Sequence, residues 1–325
     1  MKKLRSAVVG LALMLVWVPT TSLAAEEFSA TVGVREWFTT GYNEWNFSGA
    51  GINVLSDLRW RGVDAFVTEL YGELFWWRIG LLGSIGLADI EKGVLIDDDF
   101  ALSNRRGRFS HTRSSVDDGD LVRVTVDFAG RLFTWDKPLL VGTASPEAAK
   151  GYLDALIGYQ FWEEEYVAFG ATGILDLTPF GIPIVTDNVA SRNLKVLTHE
   201  YRWHTLRLGL RTSIPLVGAL SLKSHVIGSP YVDYRLEDVH HLRTDLRQDP
   251  SFSSESTDGW GIELDAALSY LVWKGLAVEA GYRYSRIDSG EGDKFTHALT
   301  GTTKDKLNNT TFERYGPHLA VSYRW

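Results

Sequence analysis

The clearest regularity along the chain is strict alternation of apolar and polar positions. At the C-terminal end Tyr315, Pro317, Leu319, Val321, Tyr323 and Trp325 share one face of an extended segment, and Arg314, Gly316, His318, Ala320, Ser322 and Arg324 share the other. A period of two marks a strand with one apolar face. The preceding segment repeats the pattern, with Leu276, Val278, Ala280, Tyr282 and Tyr284 opposite Ala277, Glu279, Gly281, Arg283 and Ser285. Alternating segments recur at 28–47, 53–76, 78–97, 120–135, 152–175, 195–214, 218–239, 258–273, 276–297 and 310–325. No internal repeat or linker interrupts the series, which predicts a single all-β domain of ten antiparallel strands.

A soluble β-sandwich also alternates, but two features favour a transmembrane β-barrel. The apolar face carries aromatic residues of the kind that form interfacial girdles. The connections alternate in length. Phe75-Trp76-Trp77-Arg78, Ile214-Pro215-Leu216-Val217-Gly218 and Trp273-Lys274-Gly275 read as tight turns, whereas 98–119, 176–194, 240–257 and 298–309 read as long polar loops. Short periplasmic turns and long external loops are the asymmetry of outer-membrane barrels. If the first strand runs outward, every odd-numbered strand ends at the external rim. Such a barrel is narrow enough to be filled by its own side chains, which argues against an open porin. Many strands exceed the ~9–11 residues that cross the hydrocarbon, so the barrel should extend beyond the outer membrane as a polar wall.

The N-terminus supports export. Lys2, Lys3 and Arg5 precede an apolar stretch from Ala7 to Val18, and Ser22-Leu23-Ala24 offers small residues for cleavage. The stretch is too short to span a bilayer as an anchor helix, so 1–24 is expected to be a signal peptide and 25–325 the barrel. The final strand ending on Trp325 resembles the signal that outer-membrane assembly machinery reads. The chain has no cysteine, which excludes disulfides and thiolate zinc sites. A formal net charge of −8 without a basic stripe argues against a nucleic-acid partner. The absence of a second long apolar run excludes a helical membrane protein. The expected setting is the outer membrane of a Gram-negative bacterium, with membrane lipid as a partner.

Two clusters could carry chemistry. The third predicted strand ends in Ile96-Asp97-Asp98-Asp99-Phe100 and the seventh in Glu237-Asp238-Val239-His240-His241. Both fall on the same rim by the parity of the strands. Asp97 and Asp99 share one side of an extended segment, as do Asp238 and His240. An Asp beside a His fixes its tautomer and raises its basicity, so that the imidazole can take a proton from water. A carboxylate pair across the groove could hold that water. The plainer readings are solvated turn acids and surface histidines. Zinc or calcium binding by His240, His241 and nearby acids is a further option, but no regular ligand spacing supports it, and no metal or cofactor is expected. The phase of the seventh strand is open. Leu220, Leu222 and Val226 share parity with Asp238 and His240, so either a bulge near Gly228 and Pro230 shifts the phase or the pair faces lipid.

These motifs resemble those of the omptin family, outer-membrane aspartyl endopeptidases built on a ten-stranded barrel. Ser56-Asp57-Leu58-Arg59-Trp60 resembles the family's Ser-x-Leu-Asp-Trp, and Asp97-Asp98-Asp99-Phe100 its Asp-x-Asp-Trp. Asp238-Val239-His240 matches its Asp-x-His, and Gly158-Tyr159-Gln160 is similar to a Gly-Tyr-Gln on strand five. The resemblance implies that Asp238 and His240 activate a water flanked by Asp97 and Asp99, and that Glu44 contributes to binding a peptide or protein substrate. Arg59 and Phe100 depart from the family pattern, and Leu236 stands where the family has an acid two residues before the dyad. Arg202 shares parity with Leu206, Leu208 and Leu210, so it should lie outward near the edge of the lipid band. It aligns with a family Arg implied in contact with lipopolysaccharide, which makes that lipid a candidate activator. The plainer reading of Arg202 is an ordinary girdle residue. The expected function is therefore an omptin-like surface endopeptidase. The alternative is a non-catalytic barrel acting as an adhesin or structural surface protein. No Ser–His motif for an outer-membrane lipid hydrolase is present.

Overall fold

A computed structural model describes residues 28–136, 138–139, 150–178, 181–182 and 185–325. The expected signal peptide, 1–24, lies outside the described residues. Twelve strands form one antiparallel ring: β1 (Phe28–Gly49), β2 (Ile52–Trp76), β3 (Ile79–Leu102), β4 (Arg106–Trp135), β5 (Gly151–Asp176), β6 (Val185–Val217), β7 (Leu220–His240), β8 (Phe252–Ser256), β9 (Trp260–Trp273), β10 (Leu276–Asp288), β11 (Gly292–Ala298) and β12 (Gly301–Arg324). Both β8 and β9 pair with β7, and both β10 and β11 pair with β12. Each of these pairs is one stave broken near the rim, so the ring has the ten staves that the alternation predicts. It closes through β1 and β12, where Thr31 lies opposite Arg324 and Trp37 opposite His318. The two ends of the described barrel therefore meet at the same rim.

The polar stretches expected as long loops are mostly strand. β3 and β4 continue through 98–119 around a turn at 103–105, β6 begins at Val185 and β12 at Gly301. Beyond the apolar band both faces of the sheet can meet water, so polar residues satisfy the ladder and the hydropathy contrast of a strand disappears. Turn length does not separate the rims either. The connection over 136–150, at the same end as Phe28 and Arg324, is longer than any at the opposite rim. The two rims differ instead in how far the strands overhang the apolar band.

That band is an outward ring of exposed Phe128, Ile157, Leu208, Val226, Leu268 and Val321. It is edged by Phe28, Trp76 and Trp273 at the end bearing the termini, and by Tyr159, Tyr231, Tyr282 and Tyr315 at the other. This is the surface pattern of a transmembrane barrel. Bulges change strand phase just above it in several strands, β3 and β4 among them. In β2, Gly41 faces Val63 and Tyr42 faces Arg61, leaving Gly62 unpaired at φ 56°, a conformation that favours glycine. In β7, Leu206 faces Tyr231 and Leu208 faces Gly228, so Ser229 and Pro230 together oppose Arg207. This second bulge settles the phase of the strand. Val226 faces outward, and Asp238 is buried on the inner face.

The interior has three levels. Nearest the termini is a polar cavity of about 710 Å³, walled by charges such as Arg35, Glu69, Arg123, Glu263 and Arg283. Above it is a plug of Trp37, Trp60, Trp162, Tyr166, Tyr201, Trp203, Tyr234 and Phe312, each at most 1 % exposed. Within the plug Arg314 donates from Nε and Nη2 to the two oxygens of Glu164, both at 2.5 Å, and from Nη1 to the carbonyl of Val63 at 3.0 Å. Trp162, Tyr166 and Tyr201 also donate to Glu164, at 2.8, 2.6 and 2.9 Å. Above the plug the overhanging strands continue, and the space between their inner faces, with β3 on one side and β7 on the other, forms a groove.

Breaking a buried, fully bonded ion pair strands a charge and costs roughly 3–5 kcal/mol. Arg314→Met should therefore lower the unfolding midpoint of the detergent-solubilised barrel substantially. The double variant Glu164→Leu/Arg314→Met should recover much of that loss. Gel mobility after graded heating measures both.

Candidate active site

Above its bulge β2 turns Ser56, Leu58 and Trp60 inward, and pairing with β3 places Asp97 opposite Leu58 and Asp99 opposite Ser56. The acidic triplet is thus divided. Asp97 and Asp99 face the groove, and Asp98 faces outward, where it accepts from Arg59, from Arg108 at 3.2 Å and from His111 Nδ1 at 2.7 Å. Arg59, which departs from the sequence motif, is therefore one of three groups that tether the outer side of this segment.

From the facing wall β7 brings Leu236, Asp238 and His240 inward. Asp238 is fully buried, with His240 Nε2 at 3.4 Å from Oδ2. Phe252 packs edge-on against the His240 ring at 4.7 Å, and Ser251 Oγ accepts from the His240 backbone at 3.0 Å. The four expected residues Asp97, Asp99, Asp238 and His240 are thus brought to one inward-facing groove. Their charges are felt across it, and they are driven in opposite directions. Burial, then Asp99 and Asp238, push the Asp97 carboxyl well above the usual range. Burial also raises Asp99, against a hydrogen bond from Ser56 and the charge of His240. Burial pushes on Asp238 too, but the charge of His240 and the close approach of the His199 and His240 rings outweigh it and hold it at about 2. One wall is therefore pushed towards holding a proton and the other towards holding a negative charge, the direction that paired acid and base require.

Two expected site residues are placed elsewhere. Glu44 lies on the opposite face of β1 from the inward Trp45, and its carboxylate is taken by Tyr42 and by Arg105 at 3.3 Å. Arg105 also binds Asp57 at 2.9 Å, so Glu44 belongs to an ion cluster on the outer face and does not line the groove. The position beside the dyad is filled instead by Leu236 and by Trp45, whose Nε1 donates to Ser254 at 3.1 Å. Arg202 does lie outward, but it presents no free cation. Glu163 binds it at 2.6 Å and Glu200 binds it as well. It sits beside a row of carboxylates in direct register on five strands: Asp89, Asp120, Glu165, Glu200 and Glu237. Like charges placed opposite one another are unfavourable, which is reason enough for a local counter-charge. Among the described residues no three His, Cys, Asp or Glu converge as metal ligands.

Two groups escaped the sequence reading. His199 on β6 lies directly opposite Asp238, with Nδ1 at 3.7 Å from its Oδ2. Parity could have found it, because Leu206, Leu208 and Leu210 face outward and thereby turn the odd positions of β6 inward. Lys294 on β11 is 2 % exposed, held over Phe47 at 3.9 Å and Phe252 at 4.3 Å, and burial pushes its ammonium down to about 8. Nothing in its local sequence marks it.

Comparison with solved structures bears on the fold. The chain is similar to the outer membrane protease OmpT from Escherichia coli, with a TM-score of 0.66, 14 % identity, and 94 % of this chain and 99 % of that one covered. At this identity the likeness shows a shared barrel fold. The toluene transporter TodX of P. putida, at a TM-score of 0.32 and 7 % identity over 92 % of this chain and 90 % of that one, is far less similar. No protein-family model and no curated protein sequence matches the chain.

The opposed proton affinities give a signed test. Asp97, raised when folded, stabilises the barrel below the unfolded value of about 3.9 and loses that contribution as pH rises through its folded value. Asp238 is depressed, so its contribution is present above about 3.9 and is lost as pH falls towards about 2. At pH 8 Asp97→Asn should raise the thermal midpoint and Asp238→Asn should lower it; the first difference should shrink at pH 4, and the second should persist there and shrink only as pH falls towards about 2. Shifts of the same sign at pH 8 would contradict the assignment.

Proposed function

We propose that the chain is an omptin-like endopeptidase of the outer membrane, with its groove facing the cell exterior. One observation carries this reading. Asp-x-Asp and Asp-x-His lie on the inner faces of opposing walls in the overhanging part of the barrel, with the proton affinity of Asp97 raised and that of Asp238 lowered. A peptide would lie along the groove between β3 and β7. His240, with Nε2 turned to Asp238, would use Nδ1 to take a proton from a water held by Asp97 and Asp99, and the resulting hydroxide would attack the carbonyl carbon. The Asp97 carboxyl, whose proton affinity is raised, would stabilise the oxyanion, and His240 would return its proton to the departing amine. General-base catalysis is worth ~10²–10⁴-fold. His240→Ala or Asp238→Asn should therefore reduce cleavage of a mixed peptide library by at least two orders of magnitude while heat-modifiable mobility persists. Undiminished cleavage by either variant would remove the dyad from the mechanism.

The substrate preference of the likeness does not transfer. The Glu44 carboxylate is engaged outside the groove, and Leu236 and Lys294 leave no acidic pocket beside the dyad. The same filled position favours the second reading, a non-catalytic surface barrel, for which no peptide in the library would be cut.

Membrane lipid belongs to the proposal as the solvent of the apolar band, and lipopolysaccharide as a candidate activator. Because Arg202 is shared between Glu163 and Glu200, its charge is largely answered within the protein. The expected outcome is that any rise in activity on adding lipopolysaccharide survives Arg202→Ala. Loss of the response in that variant would return Arg202 to a direct role in lipid binding.

A further inference from the structure

His199 is fully buried, and neither ring nitrogen has a hydrogen-bond partner at normal distance. Its ring is held among Trp60 at 5.1 Å, Tyr201 at 5.9 Å, Trp45 at 6.4 Å and Tyr166 at 6.5 Å, the last nearly parallel. These walls leave little room to rotate and offer the ring only π-faces and edges. An imidazole buried without a partner is costly. The carboxylate of Asp238 is 3.7 Å from Nδ1, and it is equally short of donors, with neither oxygen bonded at normal distance. A closing movement of less than about 1 Å would bring His199 Nδ1 and Asp238 Oδ2 to hydrogen-bonding distance.

We propose that His199 is a positioning residue of the Asp238–His240 pair, donating its Nδ1–H to the Asp238 carboxylate from the neighbouring strand, so that one buried carboxylate is shared by two imidazoles. This deepens the peptidase reading and rests on it only for the kinetic consequence. Two donors hold Asp238 in one rotamer and keep it ionised.

Other charged or titratable groups surround the pair. Asp97 and Asp99 face it from β3, Tyr166 from β5, Tyr201 from β6, Tyr234 from β7, Lys294 from β11, and His241 and Arg243 from the segment after β7. Of these Tyr166 and Tyr201 pack their rings against His199, and their hydroxyls are committed to Glu164. Among the described residues Asp238 is therefore the acceptor within reach of Nδ1.

Three measurements test the proposal. In the wild type, ¹⁵N spectra of histidine-labelled protein should show His199 protonated on Nδ1. Protonation on Nε2 with a bare Nδ1 would overturn the proposal, and this result needs neither a variant nor any activity. In ¹³C-aspartate-labelled protein, with Asp238 assigned through Asp238→Asn, His199→Phe should raise the pH at which Asp238 titrates, and His199→Asn, which keeps an N–H near the place of Nδ1, should restore it in large part. An unmoved Asp238 in a folded Phe variant would also overturn it. If the wild type cleaves peptides, His199→Phe should lower kcat on the order of tenfold to a hundredfold, as losing a residue that orients a catalytic group does. KM should hold, the acid limb of the pH profile should move to higher pH, and the Asn variant should recover activity. If the wild type cuts nothing, the peptidase reading fails and the two spectroscopic results still decide the role of His199.

Discussion

Arg314 on β12 and Glu164 on β5 stand half the ring apart and meet at its centre, and the levels above and below depend on that meeting. A barrel of this width cannot fill its middle with aliphatic side chains from one wall, because none reaches far enough. A guanidinium and a carboxylate do reach, and three aromatic donors complete the acceptor sites of Glu164. Because Trp162, Tyr166 and Tyr201 are held by their polar tips, their rings are presented at fixed heights, and Trp37, Trp60 and Phe312 close around them. The plug is dry, and this dryness separates a charged chamber from a groove with chemistry of a different kind.

The groove takes its character from the plug beneath it. Asp238 and His199 sit on the aromatic layer, away from bulk water, and there a carboxylate is strongly affected by each donor and each charge near it. Asp97 receives the same burial without a cation beside it and is driven the opposite way. Two acids of equal intrinsic strength are set apart by what faces them. The outer surface of the same wall repeats the theme with its own ions. Asp98 lies between Asp97 and Asp99 in sequence, yet its partners are Arg59, Arg108 and His111.

Much of this was legible in the amino-acid order. Ten staves followed from period-two alternation, and the i, i+2 spacing of Asp97 with Asp99 and of Asp238 with His240 placed each pair on one side of a strand. The loops were misread because a strand wet on both faces, such as 106–119, has no hydropathy contrast to display. Glu44 was misplaced although its parity was available, since Phe38, Thr40, Tyr42 and Glu44 alternate with Trp37 and Trp45 along an unbroken phase. Other features depend on strand register, which sequence spacing does not carry. Glu163 lies opposite Arg202, His199 opposite Asp238 and Lys294 opposite Asp305 only because of how neighbouring staves slid into place.

The bulges at Gly62 and at Ser229–Pro230 make this barrel sensitive to chain length. Gly62 and the Ser229–Pro230 pair each reverse the inside and outside of everything above them, while the apolar band below keeps its own phase. Deleting one residue at either place would leave composition, every motif and the membrane-facing surface intact. It would also turn the groove side chains of that stave to the exterior, with Asp238 and His240 among them in the case of β7. Function here is encoded partly in the odd or even number of residues between the band and the rim. Single-residue insertions and deletions at 62 and 229–230 should therefore be far more damaging to the groove than most substitutions at the same positions.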